Sequence, residues 1–314
     1  MKRFIVFLVM LSFIIASSIQ SFALPLGQYS IDGPDIIYYN GKMYIAWAGT
    51  DNPKYPHYVN FMSSTNGGKT FGLHGVLPWA ETRSKPSLAQ ANGKFFIAYT
   101  ELDGAISITW NDDTYMNFSY KYTIPDEYAL QGTSPSIASS GNTLFLAWTG
   151  TDKRLNTLSM DVSQCNKRIF SVYSKTTLYE YSNYGPSISF GAATLCLAWT
   201  DYNKRINVMT KNVNYSTWTN KNVLNEYAKR SPTCKFKYRL ISSGNFQLCW
   251  TGTDNCLNSV VSLDGLSYTG KKTSDQTSYY APSVWPLIYS NNSNYSAYYV
   301  WTGTDSQLNF SSTF

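Results

Sequence analysis

Six polar side chains recur along the chain at nearly even intervals: Asp51, Asp103, Asp152, Asn203, Asp254 and Asp305. Each stands four residues after an aromatic residue, in turn Trp47, Tyr99, Trp148, Trp199, Trp250 and Trp301. These aromatics step by 52, 49, 51, 51 and 51 residues, and the phrase Trp-Thr-Gly-Thr-Asp is intact at Trp148–Asp152, Trp250–Asp254 and Trp301–Asp305. A ring of carboxylates beside aromatic rings suits carbohydrate, which presents hydroxyls and an apolar face. Asp51, Asp152, Asp254 and Asp305 are therefore candidate ligand-binding residues. The same residue types also do structural work. An Asp or Asn can accept the backbone N–H two residues on and shape a turn, and a Trp can fill the space between neighbouring sheets. A further recurring set, Asn60, Asn156, Asn207, Asn258 and Asn309, suggests hydrogen bonding at a turn or strand end.

Other chemistries are poorly supplied. The chain has only two histidines, His57 and His74, which nearly excludes a Ser-His-Asp hydrolase and a His-rich metal site. No glycine-rich phosphate loop stands between a strand and a helix, so no cofactor and no metal is expected. Formal charge is +6 with only 14% charged residues, and the basic ones are scattered, unlike a nucleic-acid stripe or a membrane patch.

A period near fifty residues means one supersecondary unit repeated. Each unit opens with a small residue or a Lys before Pro, at Pro34, Pro86, Pro135, Pro186, Pro232 and Pro282. A short alternating segment, a Gly or Asn turn, an apolar run into the Trp, and two further alternating segments follow. Short β-rich runs punctuated by turn residues read as strands. Four antiparallel strands per fifty residues make a propeller blade, so the chain is read as an all-β, six-bladed β-propeller. The last unit stops one strand short. Leu26–Ser30, leading to Gly33-Pro34, lines up with Leu178–Ser182, leading to Gly185-Pro186, so the N-terminal strand is expected to complete blade six.

The turn Ser64-Thr65-Asn66-Gly67-Gly68-Lys69-Thr70-Phe71 resembles the Asp-box of the sialidase superfamily, and Ser262–Tyr268 is a shortened form. The resemblance implies a propeller over residues 24–314 with a functional face opposite the boxes. That is the face carrying the Gly-Thr-Asp turns and the residues before each Pro. Sialidases need three arginines, a Tyr nucleophile with a Glu partner, and an Asp acid. Arg230 and Tyr280 resemble the blade-five arginine and blade-six tyrosine, and Arg83 is a further candidate. The place of the first arginine, two before Pro34, holds Asp32, and no Glu partner can be assigned. The resemblance therefore points to a member without a complete catalytic set.

Residues 1–23 read as a secretory signal, with Lys2-Arg3, an apolar run from Phe4 to Ala16 and small residues before a cut, followed by one propeller domain, 24–314. That apolar run is too short for a comfortable transmembrane helix, and no other run approaches its length. Five cysteines in an exported chain leave at least one thiol unpaired. Cys234 and Cys249 should sit on adjacent strands and are the first candidate pair. Asn117, Asn214, Asn291, Asn294 and Asn309 open glycosylation sequons, of which Asn309 belongs to the structural set. The leading reading is an extracellular, non-catalytic, carbohydrate-binding module whose partner is a glycan. A sialidase-like glycoside hydrolase and a protein-interaction propeller remain open beside it.

Overall fold

The computed structural model describes residues 23–50, 57–111, 118–237, 244–287 and 297–312. Residues 1–22 of the expected signal, Asp51, and the sequons at Asn117, Asn291 and Asn294 lie outside the described residues. The chain starts with β1 (Leu24–Tyr29), whose partner comes from the far end of the sequence. Blade one joins β2 (Asp35–Tyr39), β3 (Lys42–Ala48), β4 (Tyr58–Ser64) and β5 (Gly72–Glu81). Blade two joins β6 (Ser87–Ala91), β7 (Lys94–Thr100), β8 (Ala105–Asn111) and β9 (Phe118–Tyr128). Blade three joins β10 (Ser136–Ser140), β11 (Thr143–Thr149), β12 (Arg154–Asp161) and β13 (Ser171–Tyr181). Blade four joins β14 (Ser187–Gly191), β15 (Thr194–Thr200), β16 (Arg205–Asn212) and β17 (Thr219–Tyr227). Blade five joins β18 (Thr233–Lys237), β19 (Asn245–Thr251), β20 (Cys256–Ser262) and β21 (Thr269–Thr277). Blade six joins β22 (Ser283–Pro286), β23 (Ala297–Thr302) and β24 (Gln307–Ser311) to β1.

The six-bladed propeller and its closure are therefore as the sequence predicts. Strand β1 runs antiparallel to β24, with Leu24 opposite Phe310, Pro25 opposite Asn309 and Tyr29 opposite Gln307. Ser30 N–H extends the seam to the Ser306 carbonyl at 3.0 Å. Among the described residues the helical content is one 3-10 turn, Cys165–Lys167, and no helix is long and apolar enough to cross a membrane.

Second strands are buried on both faces because a blade has a neighbour on each side. That is why β11, β15 and their equivalents read as unbroken apolar runs rather than alternating ones. The recurring aromatics fill the seams. Trp47, Tyr99, Trp148, Trp199, Trp250 and Trp301 are all at most 2% exposed. Each joins a cluster with residues of the preceding blade: Trp148 with Phe96 and Ile106, Trp250 with Cys196 and Ile206, Trp47 with Val300 and Leu308. Packing between sheets is their role, and none presents a face for stacking a ligand.

The first Thr of the repeated phrase is a strut to the next blade. The hydroxyls of Thr100, Thr149, Thr200, Thr251 and Thr302 donate to the carbonyls of Thr133, Tyr184, Arg230, Tyr280 and Asp32. Blade one has Ala48 instead, and there the Asp32 carboxylate spans the seam, accepting Lys85 N–H at 3.0 Å. Thr200→Val keeps the shape of a fully buried side chain and removes one strut, leaving a carbonyl unsatisfied. A loss of about 1–2 kcal/mol is expected, read as a lower urea midpoint at unchanged m-value.

The expected Cys234–Cys249 pair does not form. Cys234 lies opposite Leu248, and Thr233 opposite Cys249. The one-residue offset turns the two thiols to opposite faces of blade five, Cys234 into the seam with blade four and Cys249 into the seam with blade six. All five cysteines are present as thiols.

Candidate functional site

The strand-two-to-three turns and the segments before each Pro share one end of the ring. In the intact phrases the Asp closes the turn. Asp152 Oδ1 accepts Arg154 N–H, Asp254 Oδ1 accepts Cys256 N–H and Asp305 Oδ1 accepts Gln307 N–H, each at 3.0 Å. The residue after each Asp turns left-handed, with φ of 66° at Lys153, 70° at Asn255 and 67° at Ser306. Glycine is required in the phrase because the polar groups occupy its side-chain space. A Cβ on Gly252 would meet Asp254 Oδ1 at 2.5 Å and Asn258 Nδ2 at 2.9 Å. The recurring Asn completes the unit. Asn60, Asn156, Asn207, Asn258 and Asn309 each donate Nδ2 to the carbonyl two residues back. Asn309 is thereby committed inside the blade, whereas Asn214 is exposed in a turn. In blade four the turn-closing carboxylate is Asp201, which accepts from Asn203 N–H, Arg205 N–H and Asn207 Nδ2, so Asn203 is not the equivalent of Asp103, Asp152, Asp254 and Asp305. Asp103 closes its own turn through Ala105 N–H at 2.9 Å. Asp152, Asp254 and Asp305 are exposed, so the same carboxylates stand on the open face.

At the axis the residue after each Pro forms a second ring: Asp35, Ser87, Ser136, Ser187, Thr233 and Ser283. Each bonds to an adjacent blade. Asp35 accepts Leu88 N–H at 2.8 Å and Ser283 O–H at 2.6 Å. Ser87, Ser136 and Ser187 accept the N–H of Ile137, Ile188 and Cys234, and Thr233 donates to the Pro282 carbonyl at 2.7 Å. Two lysines reach across the axis. Lys235 Nζ meets Asp35 Oδ2 at 2.9 Å, and Lys85 Nζ meets Thr233 Oγ1 at 2.7 Å and the Pro282 carbonyl at 3.2 Å. Burial works to push the Asp35 carboxyl up, but the Lys235 and Lys85 ammoniums and its hydrogen bonds outweigh it and hold it below the ordinary value. For Asp32 burial wins, and its carboxyl lies above the ordinary value despite bonds from Gly33 and Lys85 N–H. Burial likewise pushes the Lys85 ammonium down. The space left among Asp32, Asp35, Lys85 and Arg230 is about 40 Å³, far below the few hundred Å³ of a ligand pocket.

The sequence-derived candidates separate. Arg230 lines the axial cavity, donates Nε to the Tyr279 carbonyl at 3.1 Å and lies 5.4 Å from the centre of the Tyr280 ring. Arg83 is elsewhere, in an open cleft of about 470 Å³ between blades two and three. Ser84, Thr100, Glu101, Leu102, Gln131 and Gly132 complete that cleft. Glu101 is held in place by Ser107 and Thr123 hydroxyls and by Lys121 Nζ at 2.8 Å.

Tyrosines form a further set that the repeat analysis passed over. Tyr29, Tyr128, Tyr181 and Tyr227 end the outer strands of four blades and are 40%, 50%, 43% and 48% exposed. Each lies opposite the first residue of strand three, in turn Gln307, Ala105, Arg154 and Arg205, on the face of the repeated turns. The signal was present as Tyr followed by Ser or Ala at matching places in four repeats. At the opposite end of the ring, Asp264 Oδ1 accepts Leu266 N–H, Ser267 N–H and Ser262 O–H, and Asn66 Oδ1 accepts Thr70 N–H and Ser64 O–H. Burial pushes the Asp264 carboxyl up, but these donors together outweigh it and bring it down to about 2.

No protein-family model and no curated protein sequence matches the chain. Solved structures do. A Hadza microbial sialidase superposes with a TM-score of 0.64 at 12% identity, over 91% of this chain and 65% of that one. The SapL1 lectin in complex with α-methyl fucoside gives 0.62 at 12% identity, over 91% and 97%. The fungal lectin of Aleuria aurantia, a six-bladed propeller with a described fucose recognition mode, gives 0.61 at 9% identity, over 90% and 92%. The chain thus has a sialidase-like six-bladed propeller fold. It spans about two thirds of that sialidase and almost the whole of each lectin.

Proposed function

We propose that the protein is an exported, non-catalytic carbohydrate-binding propeller, and that glycans engage the face of the repeated turns. The cleft between blades two and three carries this reading. Its size is that of a small-molecule site, and it pairs a fixed acceptor, Glu101, with a donor fork on Arg83. A sugar hydroxyl donates to the first and accepts from the second, and bonds to charged groups are the stronger ones. Asp152, Asp254 and Asp305 offer further acceptors on the same face. The exposed tyrosines offer apolar faces with a polar tip. The lectins among the structural neighbours bind fucosides, so methyl α-L-fucoside is the first probe.

The hydrolase reading is weaker on geometry. Asp32 replaces an arginine, Arg83 is separated from Arg230 and Tyr280, and the axial space holds no sugar ring. The experiment is titration of immobilised fucosylated and sialylated glycans, run beside a sialoside hydrolysis assay. Binding is expected without turnover. Glu101→Gln and Arg83→Ala should each weaken it about tenfold, the equivalent of about 1.4 kcal/mol. Asp152→Ala, Asp254→Ala and Asp305→Ala, each first shown to be folded, report whether the turn carboxylates contribute. Folded cleft variants with unchanged glycan binding would move the site elsewhere. Sialoside release abolished by Tyr280→Phe would replace the lectin reading with the enzyme.

A further inference from the structure

The seam between blades four and five holds two thiols side by side. Cys196, in β15, and Cys234, in β18, are both fully buried, and their sulfurs lie 3.9 Å apart. The backbones that carry them are fixed against each other. Cys234 N–H is held by Ser187 Oγ of blade four at 2.9 Å, and the strand of Ser187 pairs Ser189 directly with Cys196. The phenol of Tyr268, on the turn after β20, reaches both sulfurs, at 3.5 Å from Cys196 and 3.7 Å from Cys234. Gly265 on the same turn accepts the Cys196 thiol at 3.4 Å. No other pair among the five cysteines has its sulfurs within hydrogen-bonding reach among the described residues.

We infer that Cys196 and Cys234 are the sites of a covalent bridge between blades four and five, formed when the chain folds under oxidising conditions. A disulfide needs about 2.05 Å between sulfurs, so each sulfur must move by about 1 Å toward the other. The thiolate of one cysteine attacks a low-molecular-weight disulfide such as oxidised glutathione, forming a mixed disulfide and releasing one glutathione thiolate. The thiolate of the second then displaces the other glutathione. Two protein thiols lose two protons and two electrons, and the glutathione disulfide is reduced to two thiols. The reaction belongs to folding, because neither sulfur is accessible once the seam is closed. The hydrogen bond with the Cys196 thiol, and then burial, also keep Cys234 protonated in the folded protein, so the preformed reduced ring reacts slowly.

The test refolds the chain from denaturant in a glutathione redox buffer, denatures it again under acid quench, and alkylates the remaining thiols. Three alkylated cysteines are expected, Cys165, Cys249 and Cys256, with the peptides of Cys196 and Cys234 joined until reduction. Reductant present throughout refolding should lower the melting temperature by roughly 4–8 °C relative to the oxidised protein. Cys196→Ala should melt at one temperature in both buffers. Five alkylated cysteines after oxidative refolding would overturn the inference, as would a mapped bridge that uses any other pair. A difference between buffers that persists in Cys196→Ala would count against it equally.

Discussion

Removing residues 24–32 is expected to cost the ring several kcal/mol, a large share of a domain's total stability of about 5–15 kcal/mol. Three effects add. Blade six loses its outer strand, and β24 becomes an open edge able to pair with another molecule. Leu26 leaves the cluster formed by Trp47, Val300, Leu308 and Phe310. Asp32 goes as well, and with it the bond to Lys85 N–H and the carbonyl that accepts the Thr302 strut. The loss therefore falls on the seams of blade one with both its neighbours. The truncated chain should express mainly as aggregate, or melt more than ten degrees below the intact one. A soluble truncated protein that melts within a degree or two of the full chain would show that β1 is dispensable.

How much could be read beforehand follows from which interactions repeat. The Trp and the turn recur at a fixed period, so blade number, strand count and closure were legible before any coordinate. The role of the Asp was legible too, because an Asx turn is local, two residues long, and leaves its mark in the residue types around Asp152 and Asp254. The purpose of the Thr was not, because its partner is the carbonyl of a residue some thirty positions on, and a carbonyl has no residue type. The thiol pair was misassigned for a similar reason. Adjacent strands place Cys234 and Cys249 one register step apart, and one step reverses the face. The candidate site divides along the same line. Arg230 and Tyr280 come together because both precede prolines of neighbouring blades, whereas the placing of Arg83 and Glu101 in one cleft depends on a shape that no period encodes. The ring of residues after each Pro was visible in sequence as Asp, Ser, Ser, Ser, Thr and Ser. Its meaning was not, since only the closed ring brings Lys235 to Asp35.

That pairing carries the second large effect. Asp35 is 1% exposed and satisfies the Lys235 ammonium, the Ser283 hydroxyl and the Leu88 N–H, which come from blades five, six and two. Asp35→Ala leaves a buried ammonium and two buried donors without their acceptor. Breaking a buried ion pair from one side costs about 3–5 kcal/mol, so the variant should be close to unfolding at 37 °C. Replacing both partners, as in Asp35→Leu with Lys235→Met, should recover more than half of that loss, because the unpaired charge is gone. Asp35→Asn adds a test by pH. Folding holds this carboxyl below its ordinary 3.8, so its contribution is fully present above that value and disappears as pH falls through the lower folded value. Asp32 is shifted the opposite way and is present in both proteins, so only the part of its titration that Asp35 influences through their shared neighbour Lys85 enters the difference. The stability gap between wild type and Asp35→Asn should therefore be flat from pH 7 to about 5 and shrink below about 4. A gap that keeps its size down to pH 2, with both proteins still folding cooperatively, would mean that the carboxylate charge is not what ties blades one, two, five and six together at the axis.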